Sequence, residues 1–138
     1  MKKKEGNYKD SKKDGSWIEY HESGTVEIEG NYKDGKKEGK WFLYYESGEV
    51  KQEESYKNGK SEGRWVDYYE NGQVYWERNF KDSKKDGKEI IFYENGQVWL
   101  EANFKDGESN GWVEYYENGK VKKEGNKIKE WYYEEDIC

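Results

Sequence analysis

The sequence predicts an all-β repeat protein, built as a single-layer, elongated and twisted antiparallel meander of about five β-hairpins with capping strands at its ends. Glycines recur at a constant interval of 24 residues, at Gly15, Gly39, Gly63, Gly87 and Gly111. Two turn signals divide each interval, and the stretches between them are rich in aromatic and β-branched residues. A constant period of this length is typical of repeat architectures.

The period divides the chain into three predicted regions. Residues 1–14 are expected to supply an N-terminal capping strand, and residues 129–138 a C-terminal capping segment, because terminal repeats are usually atypical. Between them, residues 15–128 form the repeat array. Its units are 15–38, 39–62, 63–86, 87–110 and 111–128, and the last one lacks one residue before Trp112.

Each unit is predicted to fold around a tight two-residue turn. Asn71-Gly72, Asn95-Gly96 and Asn118-Gly119 favour a type I′ turn, which needs positive φ at both central residues. Ser-Gly pairs stand there in the first two units. The charged connection between units, such as Lys33-Asp34-Gly35, is expected to be longer and looser. Two turn signals in every 24 residues leave segments too short for ordinary helices.

A two-residue turn would fix which side chains share a face of the sheet. In the third unit, the predicted cross-strand pairs are Trp65 with Arg78, Val66 with Glu77, Asp67 with Trp76, Tyr68 with Tyr75, and Tyr69 with Val74. Equivalent residues then form columns along the sheet. The valine column, from Val26 to Val121, is placed on the face that carries the tryptophans.

The composition indicates where burial comes from. Hydrophobic residues make up 31% of the 138 residues and charged residues 41%, which favours disorder. Against this stand 14 Tyr and 7 Trp, and disordered chains are poor in aromatic residues. We therefore expect one ordered domain whose apolar burial comes from aromatic rings.

The charge narrows the classes of partner. A net charge of -6 disfavours direct nucleic-acid binding and adhesion to an anionic membrane. No apolar stretch follows the basic N-terminal residues, so we expect neither a signal peptide nor a membrane span. Cys138 is the only cysteine, which leaves no intrachain disulfide. A cytoplasmic protein is expected, although a chain whose leader had been removed would look the same.

The unit G-x-W-x-x-Y-Y-E-N-G-x-V, followed by E-x-N-Y-K-D-G, resembles the MORN repeat, in particular the bacterial variant found in antitoxin-like repeat proteins. The residues that carry the resemblance are Trp41, Tyr44, Tyr45, Glu46, Gly48, Tyr56, Gly59 and their copies. It implies a string of hairpins that serves in scaffolding, partner docking or toxin neutralisation. The chain departs from the pattern at Glu89, where Trp is expected, and at Ser11 and Ser83, where Gly is expected.

The sequence offers no catalytic constellation, so no enzyme, cofactor or metal is predicted. His21 is the only histidine and stands where other units have Tyr, so it is interpreted as a ring that fills a ring's place. A column of glutamates recurs on every second strand, about 9.5 Å apart. Ligands of one metal ion must converge to about 2–2.6 Å from it. Neighbouring glutamates of the column are therefore too far apart to bind one metal ion. The column is Glu29, Glu53, Glu77, Glu101 and Glu124.

Units three and four differ from the others in the residues that follow the hairpin loop. They place aromatic or apolar residues in columns that elsewhere are largely charged, and exposed apolar patches often mark interfaces. The predicted partner-binding residues are Tyr68, Tyr75, Trp76, Phe92, Trp99, Leu100, Glu77 and Glu101. Two alternatives stay open: these units need more packing, or the sheet forms a homodimer there.

Three functional hypotheses follow. The leading one is a non-catalytic protein-binding repeat module that neutralises or positions a protein partner, as an antitoxin does with a toxin. The second is a phage-encoded inhibitor of a bacterial defence nuclease, like an anti-CRISPR, that docks directly on the effector. The third is a carbohydrate-binding sheet that uses aromatic faces and paired carboxylates.

Overall fold

The computed structural model describes residues 3–125, which form one open antiparallel sheet without a helix. The predicted C-terminal capping segment, 129–138, lies outside the described residues. The strands are β1 (Lys4–Lys9), β2 (Lys12–Tyr20), β3 (Val26–Lys33), β4 (Lys36–Tyr44), β5 (Val50–Lys57), β6 (Lys60–Ser61), β7 (Gly63–Tyr68), β8 (Val74–Lys81), β9 (Lys84–Lys85), β10 (Gly87–Phe92), β11 (Val98–Lys105), β12 (Glu108–Tyr115) and β13 (Val121–Gly125).

Strands that follow one another in the chain are neighbours in the sheet. The order is β1-β2-β3-β4-β5-β7-β8-β10-β11-β12-β13, with the short β6 paired to β5 and the short β9 paired to β8. In place of one continuous strand such as β2 or β4, the chain therefore has a two-residue strand followed by a longer one, at β6–β7 and again at β9–β10. The predicted all-β meander is confirmed.

The two connections of each unit exchange the roles that the sequence predicted. Around Asn71-Gly72 the Tyr69 amide donates to the Gln73 carbonyl at 2.8 Å, and the Gly72 amide donates to the Tyr69 carbonyl at 3.0 Å. Gly72 has φ 89°, but Asn71 does not have a positive φ. The Asn71 side chain instead accepts a bond from the Gln73 amide at 2.9 Å. The predicted type I′ turn is therefore wrong, and a longer loop stands here.

The tight turns lie between units instead. Asp34 and Gly35 have φ values of 51° and 81°, which match the two positive φ angles of a type I′ turn. They join Lys33 and Lys36, which are paired directly across the turn. The prediction of a looser connection is wrong, because Asp and Asn tolerate the left-handed conformation better than other non-glycine residues do. The same pattern of φ recurs at Asp10-Ser11, Asn58-Gly59, Asp82-Ser83 and Asp106-Gly107.

These connections define the two long margins of the sheet. The loops are named acidic loops after the exposed glutamate in each, and they comprise residues 21–25, 45–49, 69–73, 93–97 and 116–120. The tight turns are named lysine turns, and they comprise residues 9–12, 33–36, 57–60, 81–84 and 105–108. Because the meander is regular, acidic loops and lysine turns lie at opposite ends of the strands.

A bulge beside each acidic loop changes the predicted register. Asp67 pairs with Trp76 as predicted, but Tyr68 pairs with Val74, since the register shifts between Asp67 and Tyr68. The predicted pairs Tyr68–Tyr75 and Tyr69–Val74 are therefore wrong, and the valine column does not share the tryptophan face. The reason is the longer loop, which leaves an additional residue on the strand that follows it. The bulge recurs in all five hairpins.

A second bulge lies at the repeated glycines and positions the tryptophans. Glu29 pairs with Phe42 and Asn31 with Glu38, so the three residues 39–41 stand opposite Gly30 alone. The Trp41 ring lies directly over Gly30, where a Cβ would come within 2.1 Å of it. Its indole N–H donates to the Asn31 carbonyl at 3.0 Å.

The fifth unit carries a shorter form of this second bulge. Asn103 pairs with Gly111 and Phe104 with Ser109, so Asn110 is the only additional residue on β12. The residue that this unit lacks before Trp112 is therefore removed from the bulge, and the flanking ladder keeps its register.

The tryptophan face, which carries Trp17, Trp41, Trp65 and Trp112, holds most of the core. Aromatic rings follow one another along it in edge-on contacts, with centroids 6.0, 5.6 and 4.9 Å apart. In order, these rings are Tyr8, Trp17, Tyr32 and Trp41. The Lys13 ammonium lies 4.2 Å from the Trp17 ring centre and that of Lys37 4.8 Å from Trp41. The opposite, glutamate face carries Glu29, Glu53, Glu77 and Glu101.

Candidate functional site

The structure divides the predicted partner-binding residues between the two faces. The Tyr68 hydroxyl donates to Glu53 at 3.4 Å, which places Tyr68 on the glutamate face. Ile90 pairs with both Glu77 and Glu101, and Phe92 follows on the same side of its strand. The tryptophan face has Tyr75, Trp76, Trp99 and Leu100, and the glutamate face has Tyr68, Phe92, Glu77 and Glu101. The eight residues therefore do not form one surface.

On the tryptophan face, the apolar residues of unit four form a core. Trp99 and Leu100 are only 7% and 1% exposed, and they cluster with Ile91. Tyr75 and Trp76, which are partly buried, both pack against this cluster. The expectation of an exposed patch is wrong for Trp99 and Leu100, because the bulge brings neighbouring residues to one side of the sheet. Trp99 and Leu100 are therefore core residues against which the more exposed Tyr75 and Trp76 pack.

Glu89 occupies the position of the missing tryptophan and is 2% exposed. Its Oε1 accepts from the Trp76 indole at 2.7 Å and lies 2.9 Å from the Lys85 ammonium. An isolated buried carboxylate would be costly, and these two donors offset that cost. The sequence showed Glu89 as a departure from the pattern, but nothing in it indicated these partners.

Arg78 adds a second buried charge beside Trp76. Its guanidinium lies 4.0 Å from the Trp76 ring centre and 5.7 Å from that of Trp65, and it pairs with Asp67 at 3.5 Å. Asp67 Oδ1 is buried, and it has no hydrogen-bond partner among the residues that the structure describes. Unit three therefore sets an ion pair into an aromatic surface.

Beside this surface, the acidic loops form a continuous groove that sequence reasoning missed. Three adjoining cavities, of about 530, 330 and 240 Å³, all include Tyr45 in their walls. The largest also has Tyr69, Tyr75, Glu70 and Glu94 in its walls. The repeated Tyr-Tyr-Glu motif was visible in the sequence. The groove was not, because it depends on the bulge that brings Tyr75 beside Tyr69.

Hydrogen bonds between units hold the walls of the groove in place. The hydroxyls of Tyr45, Tyr69 and Tyr93 donate to main-chain carbonyls of the following unit at 2.7, 2.6 and 2.6 Å. His21 Nε2 lies 2.9 Å from the Tyr44 carbonyl and makes the equivalent contact in unit one. Burial raises the pKa of Tyr45, and Glu70 and Asp67 raise it further. Burial also raises the pKa of Tyr69, with Glu94 adding to it.

On the glutamate face, the carboxylates are bonded to tyrosines of the following unit. Tyr44 donates to Glu29, and Tyr115 donates to Glu101 at 2.5 Å. Burial, followed by the bond to Glu29, raises the pKa of Tyr44 to about 12.

Glu77 is the exception on this face, because Phe92 lacks a hydroxyl to donate. It accepts instead from Arg64 Nη2 at 2.8 Å. Within residues 3–125, no group of three or more His, Cys, Asp or Glu side chains is arranged to hold a metal ion. The same residues contain no helix that is long and apolar enough to cross a membrane.

The hairpin units, their recurring bulges and their stacked aromatic rings define a β-repeat protein. The family described as the MORN repeat variant matches five consecutive segments, at residues 13–34, 37–58, 61–82, 85–106 and 112–126. These segments make up well over half of the chain, which belongs to the MORN-repeat family, as the sequence predicted. MORN repeats are generally non-catalytic modules that bind proteins or membranes. A comparison with curated proteins gave no match.

Proposed function

We propose that this chain is a non-catalytic protein-binding module that neutralises or positions a protein partner, as an antitoxin or inhibitor does. One observation carries the proposal. The groove along the acidic loops is lined by aromatic side chains, and no element within residues 3–125 packs over it, because those residues form a single layer. An aromatic groove of this kind is suited to a macromolecular partner.

The chemistry of the groove fits a protein interface. Tyr is among the residues that dominate the binding energy of protein interfaces, and Tyr45, Tyr69 and Tyr75 line the groove. The loop tyrosines are bonded to the next unit before any partner arrives. A preformed surface loses less conformational entropy on binding than a flexible one, which favours affinity.

The proposed contact residues are two partly buried aromatic residues of unit three on the tryptophan face. Tyr75 and Trp76 contact the partner directly, while Trp99 and Leu100 support them from below. The glutamate-face residues Tyr68, Phe92, Glu77 and Glu101 form the alternative interface. An experiment that perturbs one face at a time separates the two.

The other hypotheses differ in what occupies the surface. An inhibitor of a bacterial defence nuclease would use the same groove, so the identity of the partner distinguishes it from an antitoxin. Carbohydrate binding has less support, because a sugar stacks on an exposed ring face. Trp17 and Trp41 are only 5% and 1% exposed, and lysine ammonium groups lie over their rings.

Affinity capture from a lysate of the organism that encodes the chain tests the proposal. The wild type is compared with Tyr75→Ala and, on the opposite face, with Phe92→Ala, after circular dichroism has shown that all three are folded. We expect the wild type and Phe92→Ala to retain one stoichiometric protein that Tyr75→Ala loses. The protein should also inhibit or relocate that partner in an assay of the partner's own activity.

Two results would overturn parts of this proposal. Absence of a stoichiometric partner, with a dimer seen by light scattering, would make the groove a site of self-association. Loss of the partner by Phe92→Ala alone would move the interface to the glutamate face.

A further inference from the structure

The chain places a lysine of its own beside the tyrosine of two acidic loops. The Lys51 ammonium lies 5.8 Å from the Tyr45 ring centre, and the Lys122 ammonium lies 5.8 Å from that of Tyr116. These two pairs occupy equivalent positions in units two and five. The loop tyrosine of this fold therefore presents a ring face that a cation can approach, and such contacts are favourable.

Unit three departs from this arrangement. Tyr75 stands where unit two has Lys51, and its ring lies 5.0 Å from that of Tyr69. Within residues 3–125 no lysine or arginine lies over the Tyr69 ring. The loop therefore keeps the aromatic surface but lacks the cation that unit two supplies.

The charged residues that line the cavity at this place are both acidic. The cavity of about 530 Å³ beside Tyr69 and Tyr75 includes Glu70 and Glu94 in its walls, and the described residues that line it include no cationic group. Glu70 raises the pKa of Tyr45 and Glu94 that of Tyr69, each in addition to burial, as expected where the local potential is negative.

We propose that this cavity receives a cationic side chain of the protein partner, held beside the contacting Tyr69 and Tyr75 rings and against the carboxylates of Glu70 and Glu94. The inference rests on the proposed function and adds the chemistry of the partner, which is a basic segment. Arginine fits better than lysine, because its planar guanidinium stacks on aromatic rings and donates to two carboxylates at once.

A matched pair of peptides tests the inference without the partner. The probe is an acetylated and amidated Gly-Arg-Gly peptide, and its control replaces arginine by citrulline, which has almost the same shape and no charge. Amide chemical shifts of the full chain are followed while each peptide is added to millimolar concentration. We expect saturable shifts centred on residues 69–75 with the arginine peptide only.

Two double variants with the same change of charge separate a site from general attraction. Glu70→Gln with Glu94→Gln removes the carboxylates of the cavity. Glu108→Gln with Glu124→Gln removes two exposed carboxylates elsewhere. We expect the first to weaken arginine-peptide binding about fivefold or more, as losing two partly exposed ion pairs would do, and the second to leave it within twofold.

The outcomes distinguish this inference from the proposed function. Equal weakening by both double variants, or equal binding of the citrulline peptide, overturns the cationic site. Retention of the captured protein by Glu70→Gln with Glu94→Gln, at unchanged affinity, also overturns it but leaves protein binding intact. Failure of the capture experiment alone overturns the proposed function.

Discussion

The Trp76 indole nitrogen of unit three lies 2.7 Å from the carboxylate of Glu89, which belongs to the one complete unit that lacks the repeated tryptophan. In units two and three that tryptophan bonds a main-chain carbonyl, as Trp65 does with Ser55 at 3.0 Å. In unit four a buried carboxylate fills the position, and an indole from the neighbouring unit bonds to it. The Trp76 N–H and the Glu89 carboxylate are therefore paired with each other, and the indole ring comes from β8 instead of β10.

Replacing Glu89 by Ala should therefore be strongly destabilising. The substitution leaves the Trp76 N–H and the Lys85 ammonium without this acceptor, and breaking a buried charged pair costs about 3–5 kcal/mol. Because Lys85 is 27% exposed, we expect the lower end of that range. Urea unfolding measures the change. The exposed neighbour Lys88→Ala should shift stability by less than about 0.5 kcal/mol, and equal effects of both variants would contradict the account.

Gly30→Ala tests the packing of tryptophan over glycine. A Cβ at this position would lie 2.1 Å from the Trp41 ring, which is almost fully buried, so the ring must shift. Overpacking of this kind costs about 1–3 kcal/mol. Thermal unfolding should show the loss, together with a change in Trp41 fluorescence. Asn31→Ala, whose exposed side chain lies next in the strand, serves as the control. A Gly30→Ala protein as stable as this control would be incompatible with the packing.

Two Ser→Gly substitutions should have opposite signs. Ser83 has φ 68° in a lysine turn, a conformation that costs a non-glycine residue about 1–2 kcal/mol. Ser83→Gly should therefore stabilise the protein by about 0.5 kcal/mol, after allowing for the greater entropy of unfolded glycine. Ser47, in an acidic loop, does not have a positive φ. Ser47→Gly should destabilise by a similar amount. The same sign for both, in urea unfolding, would show that the two connections are assigned to the wrong turn types.

Alkaline pH should unfold the protein partly through its tyrosines. The pKa of Tyr44 is raised from 10.0 to about 12, because burial and the bond to Glu29 favour the neutral hydroxyl. A raised pKa of this kind stabilises the fold fully below pH 10, and the contribution is lost as the pH rises from 10 to 12. Urea midpoints measured from pH 8 to 12 should fall less steeply for Tyr44→Phe than for the wild type. Parallel curves would argue against the bond to Glu29.

Much of the architecture could be predicted from local sequence. The 24-residue glycine period and the turn dipeptides determine the number and order of hairpins, because each acts within a few residues. The two turn types could not be assigned by the same means. Asn-Gly and Asp-Gly both favour a type I′ turn, and the Asn71 side chain instead bonds the Gln73 amide. The same loop forms around Ser23-Gly24 and Ser47-Gly48, so the dipeptide alone does not determine the turn type.

The binding surface was less accessible to sequence reasoning, since it depends on register. Moving a strand by one residue reverses the face of every side chain that follows, and the bulge beside each acidic loop, at Tyr75 in unit three, does this. Tyr75 therefore lies with Trp76 instead of opposite Tyr68. Trp99 and Leu100 are buried for the same reason, and the groove at Tyr69 has no signature in the linear sequence.

Hydroxyl-radical footprinting of the complex with its captured partner tests the central claim most directly, because side-chain oxidation distinguishes the two faces of a single-layer sheet. The account predicts that Tyr69 and Tyr75 are oxidised more slowly in the complex, while Phe92 and Tyr115 on the opposite face react at the rate of the free protein. Protection of Phe92 and Tyr115, with Tyr69 and Tyr75 unchanged, would contradict it.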